Sequence, residues 1–124
     1  MKYILYGRPI TKKNSQQIIK AGKYRKIIPS ERYKIYEKDC LYQLKQKPRA
    51  EGGPWNMRCV YYMPTRHRVD LVNLLEATCD IFVEAGIIED DNCKIIAGHD
   101  GSRVLYDKNN PRVEITLTEV GDDH

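Results

Sequence analysis

Apolar and polar residues alternate in several segments of the chain, which predicts β-strands. The clearest are residues 2–6 (KYILY), 55–63 (WNMRCVYYM) and 112–118 (RVEITLT). A pair of strand-like segments flanks Gly22 within residues 16–28 and predicts a β-hairpin. Further short strands are predicted in residues 93–106, interrupted by Gly98 and Gly101.

Two other segments carry apolar residues three or four positions apart, which predicts two amphipathic helices. The first begins after the N-cap residue Ser30 and runs to about residue 47, because Pro48 stops it. Its predicted inward face is Tyr33, Tyr36, Cys40 and Leu44. The second is capped by Asp70 and ends before Gly86. Its predicted apolar stripe is Leu71, Leu74, Leu75, Thr78, Phe82 and Ala85. The expected fold is α+β, a small mixed sheet that is mainly antiparallel, with two helices.

The length of 124 residues predicts a single domain over residues 1–124, with a frayed tail at 121–124. No apolar run approaches the length of a membrane span, and no signal-peptide pattern opens the sequence, so we expect a cytoplasmic protein without a membrane partner. The four cysteines have no CxxC spacing and are expected to be reduced core thiols.

The net charge of +4 is distributed unevenly along the chain. Residues 1–60 hold 15 of the 21 Lys and Arg and 4 of the 17 Asp and Glu, a balance of +11 (15 − 4). Residues 61–124 hold 6 bases and 13 acids, a balance of −7 (6 − 13). This asymmetry indicates a polyanion-binding surface in the first half and an acidic centre in the second, or two solvated faces that neutralise each other.

The second helix concentrates negative charge on one stripe, formed by Asp70, Asn73, Glu76, Asp80 and Glu84. Like charges at i,i+4 are each unfavourable by roughly 0.2–0.5 kcal/mol in an isolated helix. No Lys or Arg lies within residues 70–85 to offset them. The helix therefore requires positive charge from elsewhere, supplied either by a bound cation or by ion pairs with the basic half of the chain.

An acidic turn, Glu89-Asp90-Asp91-Asn92, follows that helix. If it folds back beside the start of the helix, Asp70 converges with Asp90 or Asp91. Oxygen-rich clusters of this kind suit Mg²⁺, which keeps several waters that a phosphate can displace. Such an ion can polarise a phosphodiester and activate a water. Ordinary ion pairs with the basic half remain the alternative.

The order and spacing of several residues resemble the RusA-type Holliday junction resolvases. The resemblance begins at GRPITKKNS, continues through the helix after Ser30, and is sharpest at residues 70–91 (DLVNLLEATCDIFVEAGIIEDD). The matched positions are Asp70, Asn73, Leu74, Asp80, Gly86, Asp90 and Asp91. It implies a small α+β homodimer that binds branched DNA, specifically four-way junctions, and makes paired nicks with Mg²⁺ or Mn²⁺ and no small-molecule cofactor.

Carried over by position, the resemblance implies that Asp70 and Asp91 are metal-binding catalytic carboxylates. Asp90 is then a neighbour that binds the metal or tunes the site. Asp80 is equally well explained as a solvated or ion-paired helix residue. A two-fold homodimer would present two identical sites to a junction of similar symmetry.

Two positions depart from the family pattern. The second catalytic Asp of the family falls two residues after the first, where this chain has Val72, and the essential Lys falls at Glu76. Glu76 is placed one helical turn beyond Val72 and is a candidate replacement for the missing carboxylate. Lys94, expected on the following strand, is a candidate replacement for the missing Lys. The alternative is a junction-binding protein with weak or lost nuclease activity.

The candidate DNA-binding residues come from three segments: Lys12, Lys13 and Asn14, then Arg66 and Arg68, and finally Lys94. Lys and Arg on exposed loops contact phosphates without sequence preference. His67 adjoins this patch, and His99 with Asp100 is a further candidate neighbour of the acidic centre. A basic RNA- or nucleoprotein-associated domain is the third hypothesis, and it is disfavoured because the acids cluster at matched positions.

Overall fold

The computed structural model describes residues 1–12, 16–21 and 24–121. The strands are β1 (Lys2–Tyr6), β2 (Gln16–Ala21), β3 (Tyr24–Pro29), β4 (Trp55–Met63), β5 (Ile96–Gly98), β6 (Arg103–Tyr106) and β7 (Arg112–Glu119). The helices are α1 (Glu31–Leu44) and α2 (Leu71–Glu84). The fold is α+β, as the sequence predicts, and the match to the expected order of elements extends from β1 to β7.

The main sheet is mixed and has β4 at its centre. β7 pairs antiparallel with both β1 and β4, whereas β5 and β6 pair parallel with β4 at its opposite edge. β5 lies against the start of β4 and β6 against its end, with Trp55 opposite Ile96 and Val60 opposite Arg103. β2 and β3 pair antiparallel apart from the main sheet, which confirms the predicted pairing of these two strands.

Both helices pack on one face of this sheet. β4 buries the five alternating residues that the pattern predicts: Trp55, Met57, Cys59, Tyr61 and Met63. The predicted inward face of α1 is buried in full, and Leu74, Thr78 and Phe82 of α2 are buried with it. Leu71, Leu75 and Ala85 are half-buried and pack against the same core. The helical period therefore places the core correctly.

The first helix is three residues shorter than predicted. Ser30 caps it by accepting a hydrogen bond from the backbone N–H of Tyr33, as expected. After Leu44 the N–H groups of Lys45 and Lys47 donate to carbonyls three residues earlier, so the chain leaves the helix as tight turns before Pro48. Pro48 disfavours the helical conformation of Lys47 before it, and its ring would clash with the carbonyl of Leu44 four residues earlier. The helix therefore ends before the predicted residue 47.

The chain reverses direction immediately after α2. Gly86 adopts a positive φ of 74°, the left-handed conformation that ends many helices. The next residues, Ile87 and Ile88, are buried, and their N–H groups donate to the carbonyl of Phe82. Residues 93–95, predicted as the start of a strand, instead form a turn in which the N–H groups of Ile95 and Ile96 donate to the carbonyl of Asn92. The strand prediction is therefore wrong for Lys94, which lies in this turn.

The four cysteines are free thiols. Cys40, Cys59 and Cys79 are buried, as expected of core residues. Cys93 is exposed, so the prediction of a core thiol is wrong for this residue. Cys93 belongs to the turn after α2, where the chain no longer faces the core. Within the part of the chain that the structure describes, no helix is both long and apolar enough to span a membrane.

Candidate nucleic-acid interface and acidic centre

Asp70 is the N-cap of α2 and is exposed. Its Oδ1 accepts hydrogen bonds from the N–H groups of Val72 and Asn73, at 2.9 and 3.3 Å. These bonds satisfy two of the N–H groups that a helix start leaves unpaired. The capping bonds use one carboxylate oxygen of this exposed residue, so the other oxygen can take a further ligand.

Asp90 and Asp91 lie in the exposed acidic turn. Asp90 Oδ1 accepts from the N–H of Asp91 at 2.8 Å, and its Oδ2 accepts from Asn92 Nδ2 at 2.9 Å. These bonds, with the backbone N–H of Asp91 as the largest cause, lower the pKa of Asp90. Asp90 is therefore held in its ionised form, and it also organises the turn.

The acidic turn faces the C-terminal half of α2 across a pocket of about 310 Å³. The lining residues are Lys12, Glu37, Asp80, Val83, Glu84, Asp90 and Asp91. Lys12 Nζ lies 3.2 Å from Asp80 Oδ2 and 5.8 Å from the ring centroid of Tyr33. Some of the positive charge that α2 requires thus comes from the basic half of the chain.

Asp70 and the acidic turn lie at opposite ends of α2. The helix connects the end of β4 to the start of the parallel strand β5, so it must run back along the length of β4. Its 14 residues span about 21 Å at 1.5 Å per residue. The expected convergence of Asp70 with Asp90 or Asp91 is therefore not found within one chain. Among the described residues, no group of three or more His, Cys, Asp or Glu is placed to hold a metal ion.

The two departures from the family pattern both lie on the exposed side of α2. Val72 is 67% exposed in the first turn of the helix, where no acidic side chain is present. Glu76 is exposed one turn further along. Lys94 lies in the turn that follows the acidic turn, so it lies beyond the other end of α2 from Val72.

A basic loop leads into Asp70. Arg66, His67 and Arg68 are exposed in the segment between β4 and α2. The guanidinium carbon of Arg66 lies 4.3 Å from the ring centroid of Tyr106 on β6, a cation–π contact that orients its side chain. The predicted DNA-binding residues Lys13 and Asn14 lie outside the described residues.

A groove of about 120 Å³ adjoins this loop and is lined by two arginines that are not among the predicted DNA-binding residues. Arg8 from the segment after β1, Arg32 from the first turn of α1, and Arg68 all line it. The lining is completed by Pro9, Ile10, Thr11, Met63, Thr65, His67 and Val69. Arg8 and Arg32 are 24 positions apart and come together only in the folded chain. The signals in the sequence were the excess of basic residues in the first half and, for Arg8, its place within GRPITKKNS.

His99 is not part of either acidic site. One of its ring nitrogens lies 2.9 Å from the carbonyl oxygen of Met57, which ties the imidazole to β4. Asp100 donates its N–H to Asn56 Oδ1, also on β4. Both residues therefore hold the connection between β5 and β6 against the sheet.

The protein thus combines an α+β fold, a carboxylate at the start of α2 and an adjoining cationic groove, features that suit the binding and processing of nucleic acid. The family model for endodeoxyribonuclease RusA matches residues 7–118, which is most of the chain. The protein belongs to the RusA endodeoxyribonuclease family, which confirms the resemblance seen in the sequence. No curated protein matches the chain. Membership implies an endonuclease that resolves Holliday junctions.

Proposed function

We propose that the protein is a structure-selective endodeoxyribonuclease, and that it resolves four-way junctions by divalent-metal-dependent paired nicking as a homodimer. The observation that carries this proposal is the setting of Asp70. Its carboxylate is exposed at a helix start, two residues after Arg68 and at the end of a cationic loop. Phosphates bound by that loop would lie beside a carboxylate with a free oxygen.

The divalent ion, Mg²⁺ or Mn²⁺, does not fit the described residues of a single chain. Asp70 is separated from Asp90 and Asp91 by the length of α2. We propose that a second copy resolves this mismatch. If the α2 helices of two protomers run antiparallel across a two-fold axis, Asp70 of each copy approaches Asp90 and Asp91 of the other. The homodimer is then required for a complete site as well as for paired nicking.

Self-association is supported by an open strand edge. β6 pairs with β4 on one side, and its other edge has no partner strand within the described residues. Val104, Leu105 and Tyr106 on this strand are 36–43% exposed. Unpaired edges with exposed apolar side chains are templates for association with another chain.

The second candidate is a junction-binding protein with weak or lost nuclease activity. The specific observation in its favour is Val72, which presents an exposed apolar side chain where the family has a catalytic carboxylate. In this case the cationic loop still binds DNA, while Asp70 only caps α2 and Asp90 only stabilises the acidic turn.

A cleavage assay separates the two candidates. Wild-type protein, Asp70→Asn and Glu89→Gln are incubated with a synthetic four-way junction in Mg²⁺, Mn²⁺ or EDTA. Asn retains the cap at position 70, and Glu89→Gln removes one charge from the acidic turn at a position without a proposed role. Metal-dependent paired nicks by wild type and Glu89→Gln, lost in Asp70→Asn, support the nuclease. Tight junction binding without nicks in either metal supports the second candidate instead.

Subunit mixing tests the shared site. Asp70→Asn and Asp91→Asn are each inactive as homodimers under this proposal. A heterodimer of the two contains one site with both substitutions and one site with neither, so mixing restores cleavage and the binding of one Mn²⁺ site per dimer. If each site belongs to a single chain, every site in the mixture carries one substitution. Absence of any recovery after confirmed subunit exchange would then overturn the shared site.

A further inference from the structure

Three arginines from separate parts of the chain line the groove beside Asp70. Arg8 follows β1, Arg32 lies in α1, and Arg68 precedes α2. No carboxylate is among the described residues that line this groove. In the described ranges of the chain, none of the three arginines has an ion pair or a hydrogen-bond acceptor.

Three positively charged side chains share this groove. Like charges repel across a shared groove. Arg32 adds to this because it stands in the first turn of α1, where the helix dipole presents its positive end. Some basic side chains of the described residues are ion-paired, as Lys12 is with Asp80 and Arg112 with Asp107 and Glu114, whereas the three groove arginines are not. The groove is a site where an anion would remove the repulsion.

We infer that this groove binds a backbone phosphate of the DNA substrate, and that Arg8 and Arg32 are DNA-binding residues. The inference rests on the proposed function for the identity of the anion as a phosphodiester. The groove volume of about 120 Å³ is roughly four times the ~30 Å³ that one water occupies in the liquid, which leaves room for a phosphate group. The planar fork of Arg binds phosphate oxygens through two parallel N–H donors.

The location of the groove gives this phosphate a positioning role. Val69 lines the groove and is followed directly by Asp70. A strand anchored at Arg8 and Arg32 would pass the free oxygen of Asp70 as it leaves the groove. Pro9, Ile10 and Met63 give the groove an apolar lining that carries no competing charge.

The DNA arm of the test measures junction binding against salt concentration for wild type, Arg8→Gln, Arg32→Gln and Lys45→Gln. Lys45→Gln is the matched control. Lys45 is exposed at the opposite end of α1, and its substitution removes the same charge as each arginine substitution. Each arginine variant is expected to lower the slope of log K against log salt by about 0.9 and to weaken binding several-fold. Slopes equal to that of Lys45→Gln would overturn the inference, even if the wild type binds and cleaves junctions.

A second arm uses inorganic phosphate in the absence of DNA, at constant ionic strength. The Nε–Hε NMR resonances of Arg8, Arg32 and Arg68 are expected to shift together and saturate in wild type. Arg8→Gln should weaken the effect on the other two, while Lys45→Gln should not. If the wild type fails to bind junctions but shows this saturation, the groove is a phosphate site and the proposed nuclease is wrong. Shifts that never saturate and match those of surface arginines would overturn the site itself.

Discussion

The ammonium nitrogen of Lys12 lies 3.2 Å from Oδ2 of Asp80 and joins the segment after β1 to α2. The repulsion among Glu76, Asp80 and Glu84 on one helix face indicated that α2 needs a cation from elsewhere. Lys12 provides such a cation, so its ammonium group pairs with a carboxylate of the same chain. Of the predicted DNA-binding residues, it is the one described with an acidic partner.

The strength of this pair can be measured by a double-mutant cycle. The two side chains are 38% and 36% exposed, so solvent screens their attraction. We expect a coupling free energy of about 0.2–1 kcal/mol between Lys12→Met and Asp80→Asn in urea unfolding. The coupling should fall in 0.5 M salt. A coupling near zero at low salt would show that the contact does not offset the repulsion on α2.

The buried thiols predict a loss of stability at alkaline pH. Burial raises the pKa of Cys40, Cys59 and Cys79 to about 12. Their protonated forms are therefore favoured in the folded state, so this contribution is complete below about pH 9 and is lost as the pH rises towards 12. Each thiol can remove up to about 1.4 kcal/mol of unfolding free energy per pH unit in that window.

Urea unfolding at pH 8, 9 and 10 checks this expectation. The slope of unfolding free energy with pH should decrease in magnitude in Cys59→Ala, whatever the cost of the cavity at a single pH. The exposed Cys93 supplies the control, Cys93→Ala. Stability that stays constant from pH 8 to 10 would contradict the prediction.

The features that the sequence predicts correctly depend on local chemistry. Ser30 and Asp70 cap their helices because a short polar side chain there meets free N–H groups. The alternation along β4 places its core because successive side chains point to opposite faces. These relationships need only neighbouring residues, so periodicity and spacing are sufficient to find them.

The features that the sequence misses depend on the path of the chain. The proximity of Asp70 and Asp91 was expected from a turn that folds back, but the parallel pairing of β4 and β5 carries the turn to the far end of α2. Arg8 and Arg32 line one groove only through tertiary packing, although Arg8 lies within GRPITKKNS, where the resemblance begins. Locating these residues therefore required the topology of the chain. The proposed second copy follows neither from the sequence pattern nor from the fold of one chain.

Asp70 has a structural role that must be separated from its proposed catalytic one. Removing the cap in Asp70→Ala should lower the free energy of unfolding by about 1 kcal/mol, within 0.5–2 kcal/mol, whereas Asp70→Asn keeps a good N-cap and should change it by a few tenths. Both variants should lose cleavage, since both lack the charge. Urea unfolding and junction cleavage are measured on the same preparations. Full cleavage by Asp70→Asn would restrict Asp70 to its capping role.

Val72 and Glu76 offer a test of how this chain departs from its family. Val72 is exposed in the first turn of α2, so Val72→Asp loses little packing and gains a favourable interaction with the helix dipole of about 0.3–1 kcal/mol. It also places a second carboxylate two residues after Asp70. We expect metal-dependent cleavage to rise at least tenfold, with Val72→Asn as the uncharged control that should not change it.

The same pair of positions determines whether Glu76 replaces the missing carboxylate. The two residues are one helical turn apart, so a carboxylate at either position can reach the same side of α2. Under replacement, Glu76→Gln lowers cleavage at least tenfold in the wild-type background, and Val72→Asp restores it in the double variant. Cleavage rates at saturating junction, with binding measured separately, distinguish this from a change in DNA affinity. If Glu76→Gln leaves the rate unchanged while Val72→Asp raises it, Glu76 is not the replacement, and the activity depends on Asp70 together with the acidic turn.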